Sequence, residues 1–180
     1  VIFMLDKSGS MNRGAETGNL ASMLGPNELS RMEVAREALI ALAAEFFNQS
    51  SQVIVTLMTF DNGFDNDDNE NNNSAEKIGE YTNNWSFVEA INAITGSGGT
   101  NYPAAVKEIK AELEEDIANQ VTDNIKNVSY FISDGVSTMG PPDITGFREF
   151  VNQNGIDSYS VGIGGDLPAD LSDLNYIHNV

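Results

Sequence analysis

Asp6, Ser8 and Ser10 stand at alternate positions directly after an apolar run, Val1-Ile2-Phe3-Met4-Leu5. Alternate side chains of an extended chain point the same way, so this spacing offers one carboxylate and two hydroxyls to a common side. Two later segments carry related chemistry. One is Gly98-Gly99-Thr100-Asn101; the other is Ser133-Asp134-Gly135, which follows the strand-like run Ser129-Tyr130-Phe131-Ile132. Together Asp6, Ser8, Ser10, Thr100 and Asp134 form an all-oxygen donor set. Such a set suits one hard divalent cation, Mg²⁺ or Ca²⁺, and Mg²⁺ in particular keeps positions for water or a partner's oxygen. Gly9 and the Gly98-Gly99 pair let the backbone turn and approach closely. The plainer alternative, ordinary loops in which Ser8 or Ser10 caps a helix, requires three separate loops to match by accident.

These loops need a scaffold, and the sequence predicts one. Apolar strand patterns at Val1–Leu5, Val53–Phe60, Asn127–Ser133 and Asp157–Ile163 alternate with helical ones, as in an α/β sheet covered on both faces. Lys77–Thr82 reads as a short edge strand. Ser30-Arg31-Met32-Glu33 is a capping box, followed at helical spacing by Met32, Ala35, Leu39, Leu42, Ala43 and Phe46. Ser86-Phe87-Val88-Glu89 reads as a second box, with Val88, Ile91 and Ile94 inward. Pro103 suits the first turn of a third helix with the stripe Val106, Ile109, Leu113 and Ile117. A fourth helix is expected from about Ile144 to Asn154, with Phe147, Phe150 and Val151 inward and Gly155 as its stop. The expected architecture is a doubly wound, mostly parallel central sheet with helices on both faces and one short antiparallel edge strand. In such sheets ligands bind beyond the carboxyl ends of the strands, where strand order reverses. Asp6 and Asp134 both fall at strand ends of that kind.

Residues 1–180 are expected to form a single domain with loop insertions at 12–27 and 61–76. Asp61 to Asn73 contains only Asp, Asn, Glu, one Gly and one Phe. Asp65, Asp67, Asn69 and Glu76 are spaced as in an EF-hand loop and make a candidate for an additional Ca²⁺, but Glu70 stands where that loop needs Gly. His178 reads as decoration near the chain end, Trp85 as packing, and Met4, Met32 and Met58 as core filling.

Nine basic residues against 27 acidic ones give a formal charge of −18. That balance disfavours nucleic acid and anionic lipid as partners. With no Cys, the chain has no disulfide framework, thiol nucleophile or thiolate metal site. No apolar run suggests direct membrane insertion. The chain opens inside a strand pattern without an initiator Met, so it is expected to be a piece of a longer protein, with flanking domains of that chain among its partners.

The string from Val1 to Met11 resembles the opening of a von Willebrand factor type A domain. That family places Asp-x-Ser-x-Ser after its first strand, a Thr in a later Gly-rich loop and an Asp-Gly after its fourth strand. Ser8, Ser10, Thr100 and Asp134 match in order, and the resemblance runs through Val161-Gly162-Ile163-Gly164-Gly165. It implies a metal-ion-dependent adhesion site. Ser8 and Ser10 would bind the cation directly, Thr100 directly or through water, and Asp6 and Asp134 would supply charge. The open position would accept a carboxylate from a protein or surface ligand. An exchange of Asp134 for Thr100 in direct contact with the cation, which couples binding to loop and helix movement in some members, is a further expectation.

The acidic surface, absent Cys and Asn-rich loops are similar to type A domains of large bacterial surface adhesins of the repeats-in-toxin class, which implies an extracellular or cell-surface location. Two alternatives belong to other classes. Type A domains also serve in intracellular metal-chelatase assemblies beside an ATPase, although no phosphate-binding Gly-rich loop ending in Lys-Ser/Thr occurs here. A phosphoryl-transfer enzyme would want a second Asp two residues after the first, where Ser8 stands, and Lys7 is the only basic residue in the three loops. The expectation is therefore a binding module and no enzyme.

Overall fold

A computed structural model of the chain describes residues 1–50, 52–62, 74–119, 125–135, 137–164, 174 and 177. Five strands form one sheet: β1 (Ile2–Asp6), β2 (Val55–Phe60), β3 (Ala75–Tyr81), β4 (Val128–Ser133) and β5 (Asp157–Gly162). Their order is β3-β2-β1-β4-β5. All neighbours are parallel except β2 and β3. Strand order thus reverses at β1, whose neighbours are β2 on one side and β4 on the other. This is the expected doubly wound, mostly parallel sheet with one antiparallel edge strand.

Alternation along β1 divides the interior in two. Ile2 and Met4 join Met58, Phe60 and Phe131 beneath α3 (Tyr102–Asn119) and α4 (Ile144–Gln153). Phe3 and Leu5 join Leu57 and Ile132 beneath α1 (Arg31–Gln49) and α2 (Asn84–Ala93). Every residue of β1 and β2 is buried, which is why these strands read as nearly continuous apolar runs. On α3 the side chains Tyr102, Ala105, Val106, Ile109 and Leu113 are buried, with Ile117 packed at the margin. The methionines Met4, Met32 and Met58 fill the core.

β3 begins at Ala75, two residues earlier than expected, and runs to Tyr81. Its Lys77 is ion-paired with Glu80 at 2.5 Å and with Glu112 of α3 at 2.6 Å, and charge on an edge strand protects it from pairing with other chains. Two local expectations fail. Trp85 does not pack; it is 76 % exposed. The second helix starts earlier than its apparent capping box: its N-cap is Asn83, whose Oδ1 accepts from the Ser86 backbone N–H at 3.0 Å, and Ser86 is already helical. That start turns Phe87 and Ile91 fully inward and leaves Val88 half-buried. The first capping box is present as read, with Ser30 and Glu33 bonded reciprocally.

The capping assignment is testable by denaturant unfolding. Asn83→Ala is expected to lower stability by about 1 kcal/mol, as loss of an N-cap does. Ser86→Ala should cost less, and the reverse order would return the cap to Ser86.

Candidate metal centre

β1 and β4 are neighbours, with Leu5 opposite Ile132. Asp6 and Ser133 are the final residues of these strands and share the parity that faces α3 and α4 in Met4 and Phe131. Adjacent strands therefore bring the Ser133 hydroxyl to Asp6, where it donates to Oδ2 at 2.5 Å. The other oxygen, Oδ1, accepts from the Ser8 backbone N–H at 2.7 Å. A carboxylate bonded to the amide two residues on is an Asx-type turn, and here it bends the chain sharply out of the sheet.

That bend carries the two serines toward the loop after β4. The Ser8 and Ser10 hydroxyls lie 2.9 Å apart, and Ser10 donates to Asp134 Oδ1 at 2.8 Å. Because Ser10 spends its single hydrogen on Asp134, Ser8 is the donor between the serines. Ser8 occupies the N-cap position of a short 3₁₀ turn, Gly9–Asn12, yet its side chain caps no backbone amide. Its hydroxyl belongs to the polar cluster, contrary to the capping alternative.

Thr100 is also buried, and its loop is tied by backbone bonds to the first turn. The Ser97 amide donates to the Lys7 carbonyl at 2.7 Å and the Gly9 amide to the Gly98 carbonyl at 2.8 Å. Gly98 sits at φ +73°, a conformation that favours glycine, and a Cβ on Gly99 would fall 2.7 Å from Asn62. The Gly99 amide donates to Asn62 Oδ1 at 2.6 Å. The Thr100 amide donates to Thr138 Oγ1 at 3.1 Å, while the Thr138 amide donates to the Thr100 carbonyl at 2.8 Å. Tyr102, at the start of α3, donates to the Gly135 carbonyl at 2.5 Å and so ties the Asp134 loop to that helix. The loop after β1 is thus hydrogen-bonded both to the loop before α3 and to the loop after β4, and among the described residues the hydroxyl of Thr100 has no bond to Asp6, Ser8, Ser10 or Asp134.

Burial governs the electrostatics. Asp6 is 0 % exposed, and loss of water pushes its carboxyl up to about 7; the Asp134 charge adds to the rise, while the bonds from Ser133 and Ser8 oppose it. Asp134 is 3 % exposed and has a cation beside it: Arg31 Nη1 donates to Oδ2 at 2.6 Å. Sequence reasoning missed Arg31. A signal was available, because a basic residue in the first turn of a helix opposes the helix dipole and needs a local reason. Ser133, Asn62 and Thr138 were missed too; strand parity pointed to the first, and only the folded loops reveal the others.

The residues considered for an additional Ca²⁺ do not form a described cluster. Asp65, Asp67 and Asn69 lie outside the described residues. Glu76 lies in β3 opposite Thr59 and accepts from Lys7 Nζ at 2.7 Å, which also stands 3.7 Å from Asp61. His178 also lies outside the described residues.

The donor chemistry fits a hard divalent cation. Asp6, Ser8, Ser10 and Asp134 gather at one end of the sheet, where the two serine hydroxyls are bonded to each other and Ser10 is bonded to Asp134. Among the described residues no helix is long and apolar enough to cross a membrane.

Comparison with known proteins agrees with the fold. The family model of the von Willebrand factor type A domain matches residues 1–179. A search of curated proteins found no match. Among solved structures, the chain is similar to a von Willebrand factor type A protein from Catenulispora acidiphila (TM-score 0.65, 15 % identity, covering 98 % of this chain and 35 % of that one). It is also similar to proximal thread matrix protein 1 from the mussel byssus, solved with a zinc-occupied MIDAS motif (TM-score 0.64, 12 % identity, 99 % and 41 %). A third is the conserved hypothetical protein BatB from Bacteroides thetaiotaomicron (TM-score 0.59, 16 % identity, 89 % and 64 %). The chain spans less than two thirds of each of these solved chains.

The buried Asp6 makes a pH signature. Its folded value, about 7, lies above its ordinary value of 3.8, so the folded chain holds this proton more tightly than the unfolded one. The contribution is therefore fully present below the ordinary value and is lost as pH rises through the window up to about 7. With divalent cations chelated, Asp6→Asn is expected to gain stability relative to wild type across that window, measured by urea unfolding at its two ends. An unchanged difference between the two proteins would contradict the burial argument.

Proposed function

The chain belongs to the von Willebrand factor type A family, and on that premise we propose that it is a divalent-cation-dependent adhesion module. Asp6, Ser8, Ser10, Thr100 and Asp134 would hold one Mg²⁺ or Ca²⁺. The observation that carries this reading is the bonded run Ser8–Ser10–Asp134 set beside the buried Asp6, because it gathers oxygen donors from separate loops at the switch point of the sheet. When bound, the cation supplies an electropositive position that accepts a carboxylate oxygen from a partner.

The chain's own residues do the rest. Ser133 and the Ser8 amide orient Asp6, Ser10 and Arg31 orient Asp134, the Gly9–Gly98 and Ser97–Lys7 backbone bonds hold the Thr100 loop against the first turn, and Asn62 and Thr138 brace that loop from the segments after β2 and β4. The hydroxyl ligands add no charge, so the cation keeps most of its attraction for an anionic partner. The mussel protein with zinc at its MIDAS motif supports a divalent cation as the occupant. We place the partner among proteins or surfaces offering a carboxylate, with the module at the outside of a bacterial cell as part of a longer adhesive chain, and we assign it no catalytic activity of its own.

Thermal unfolding tests the reading. A cation that binds only the folded chain stabilises it by about 2.7 kcal/mol at a hundredfold excess over Kd. For a domain of this size that is a Tm rise of roughly 5–10 °C. Mg²⁺ or Ca²⁺ is expected to produce such a rise in wild type and little in Asp6→Ala or Ser8→Ala. Equal rises in all three proteins would remove the assignment.

A further inference from the structure

We propose that Arg31 is a specificity-determining residue of this centre: its charge beside Asp134 makes the loaded site cationic and so selective for a single carboxylate. The inference rests on the reading of the site given above and concerns a residue outside the metal-ligand motif. Arg31 is the first residue of α1, buried to 4 % exposure, with Nη1 2.6 Å from Asp134 Oδ2. Its placement is fixed from several directions. The Ser30–Glu33 capping box sets the start of the helix, and the Arg31 amide donates to the Arg13 carbonyl at 2.9 Å.

A buried cation at a helix N-terminus is unfavourable on two counts, desolvation and the positive end of the helix dipole. The contact with Asp134 offsets both. Lys7 lies in the same loops, but its ammonium is taken by Glu76 and Asp61. Among the described residues, Arg31 is the cation whose side chain touches the cluster.

The charge count then decides what the site prefers. Carboxylates are ionised when they hold a metal, so Asp6 and Asp134 together cancel a divalent cation. Arg31 leaves one positive charge over, and a single incoming carboxylate brings the buried cluster to neutrality. With a neutral residue at position 31, the loaded site would already be neutral, and the same carboxylate would leave a buried negative charge. Arg31 also engages Oδ2 of Asp134, so that Oδ1 is the oxygen turned to Ser10. Both effects weaken the hold on the cation while strengthening the attraction for an anionic partner.

The test is calorimetric titration of Mg²⁺ at fixed ionic strength, with either chloride or acetate as the anion. In wild type, acetate should tighten Mg²⁺ binding several-fold. Arg31→Met should bind Mg²⁺ about tenfold tighter in chloride, given the size of one charge at close range in a partly screened site, and should lose the acetate effect. Arg31→Lys should keep it. Because Arg31→Met leaves Asp134 buried beside no cation, the double variant Arg31→Met/Asp134→Asn is measured with it, each fold checked by circular dichroism. When loaded, that double variant carries the wild-type net charge and should show the acetate effect again, on weaker Mg²⁺ binding. An undiminished acetate effect in folded Arg31→Met, its absence in the double variant, or Mg²⁺ binding by wild type that acetate does not change would overturn the role of Arg31 alone. No Mg²⁺ binding by wild type would overturn the reading of the site, and this inference with it.

Discussion

Two carboxylates, Asp6 and Asp134, are held almost out of water at the ends of neighbouring strands, and the surrounding structure is organised around that cost. Burying an ionised carboxylate is expensive unless bonds and opposite charge compensate it. Asp6 takes a hydroxyl from β4 and an amide from its own loop; Asp134 takes a serine hydroxyl and a guanidinium. Each compensation also imposes geometry. The amide bond to Asp6 turns the chain out of β1, the serine bond joins the first loop to the third, and the guanidinium anchors the start of α1 beneath them.

The sheet explains why these groups meet. Strand order reverses between β1 and β4, and the connections leaving the two strands diverge to opposite faces. The crevice left between them is where such folds bind ligands. Here the crevice is furnished with oxygen atoms, and the Gly98-Gly99 segment closes in from α3's side because it has no side chains to keep it away. The net charge of −18 would repel acidic partners at long range. Salt screens that repulsion beyond about 8 Å, and within that distance the local arrangement of charge decides.

Much of this was legible before the fold. Nearly continuous apolar runs identify β1 and β2 because both faces of those strands are covered, and the Asp-x-Ser-x-Ser spacing points at the crevice because it follows such a run. Periodicity marked the α1 and α3 stripes because each of those helices buries only one face. What escaped depended on contacts between distant segments. Asn83 caps α2 ahead of the more conspicuous Ser86, since only the folded turn shows which side chain reaches the free amides. Trp85 reads as packing, but it lies in the first turn on the side away from Phe87 and Ile91. Arg31 was hidden in plain view inside a capping box, where its partner, more than a hundred residues away, carries the meaning.

On the proposed function this crevice would hold one hard divalent cation, with Arg31 kept beside Asp134. The most direct measurement is a crystal structure grown with Mn²⁺ and read by anomalous scattering. One anomalous peak is expected within coordination distance of the Ser8 and Ser10 hydroxyls, with the Arg31–Asp134 contact intact. A peak only elsewhere on the chain, or none at the crevice with the cation in excess, would contradict it.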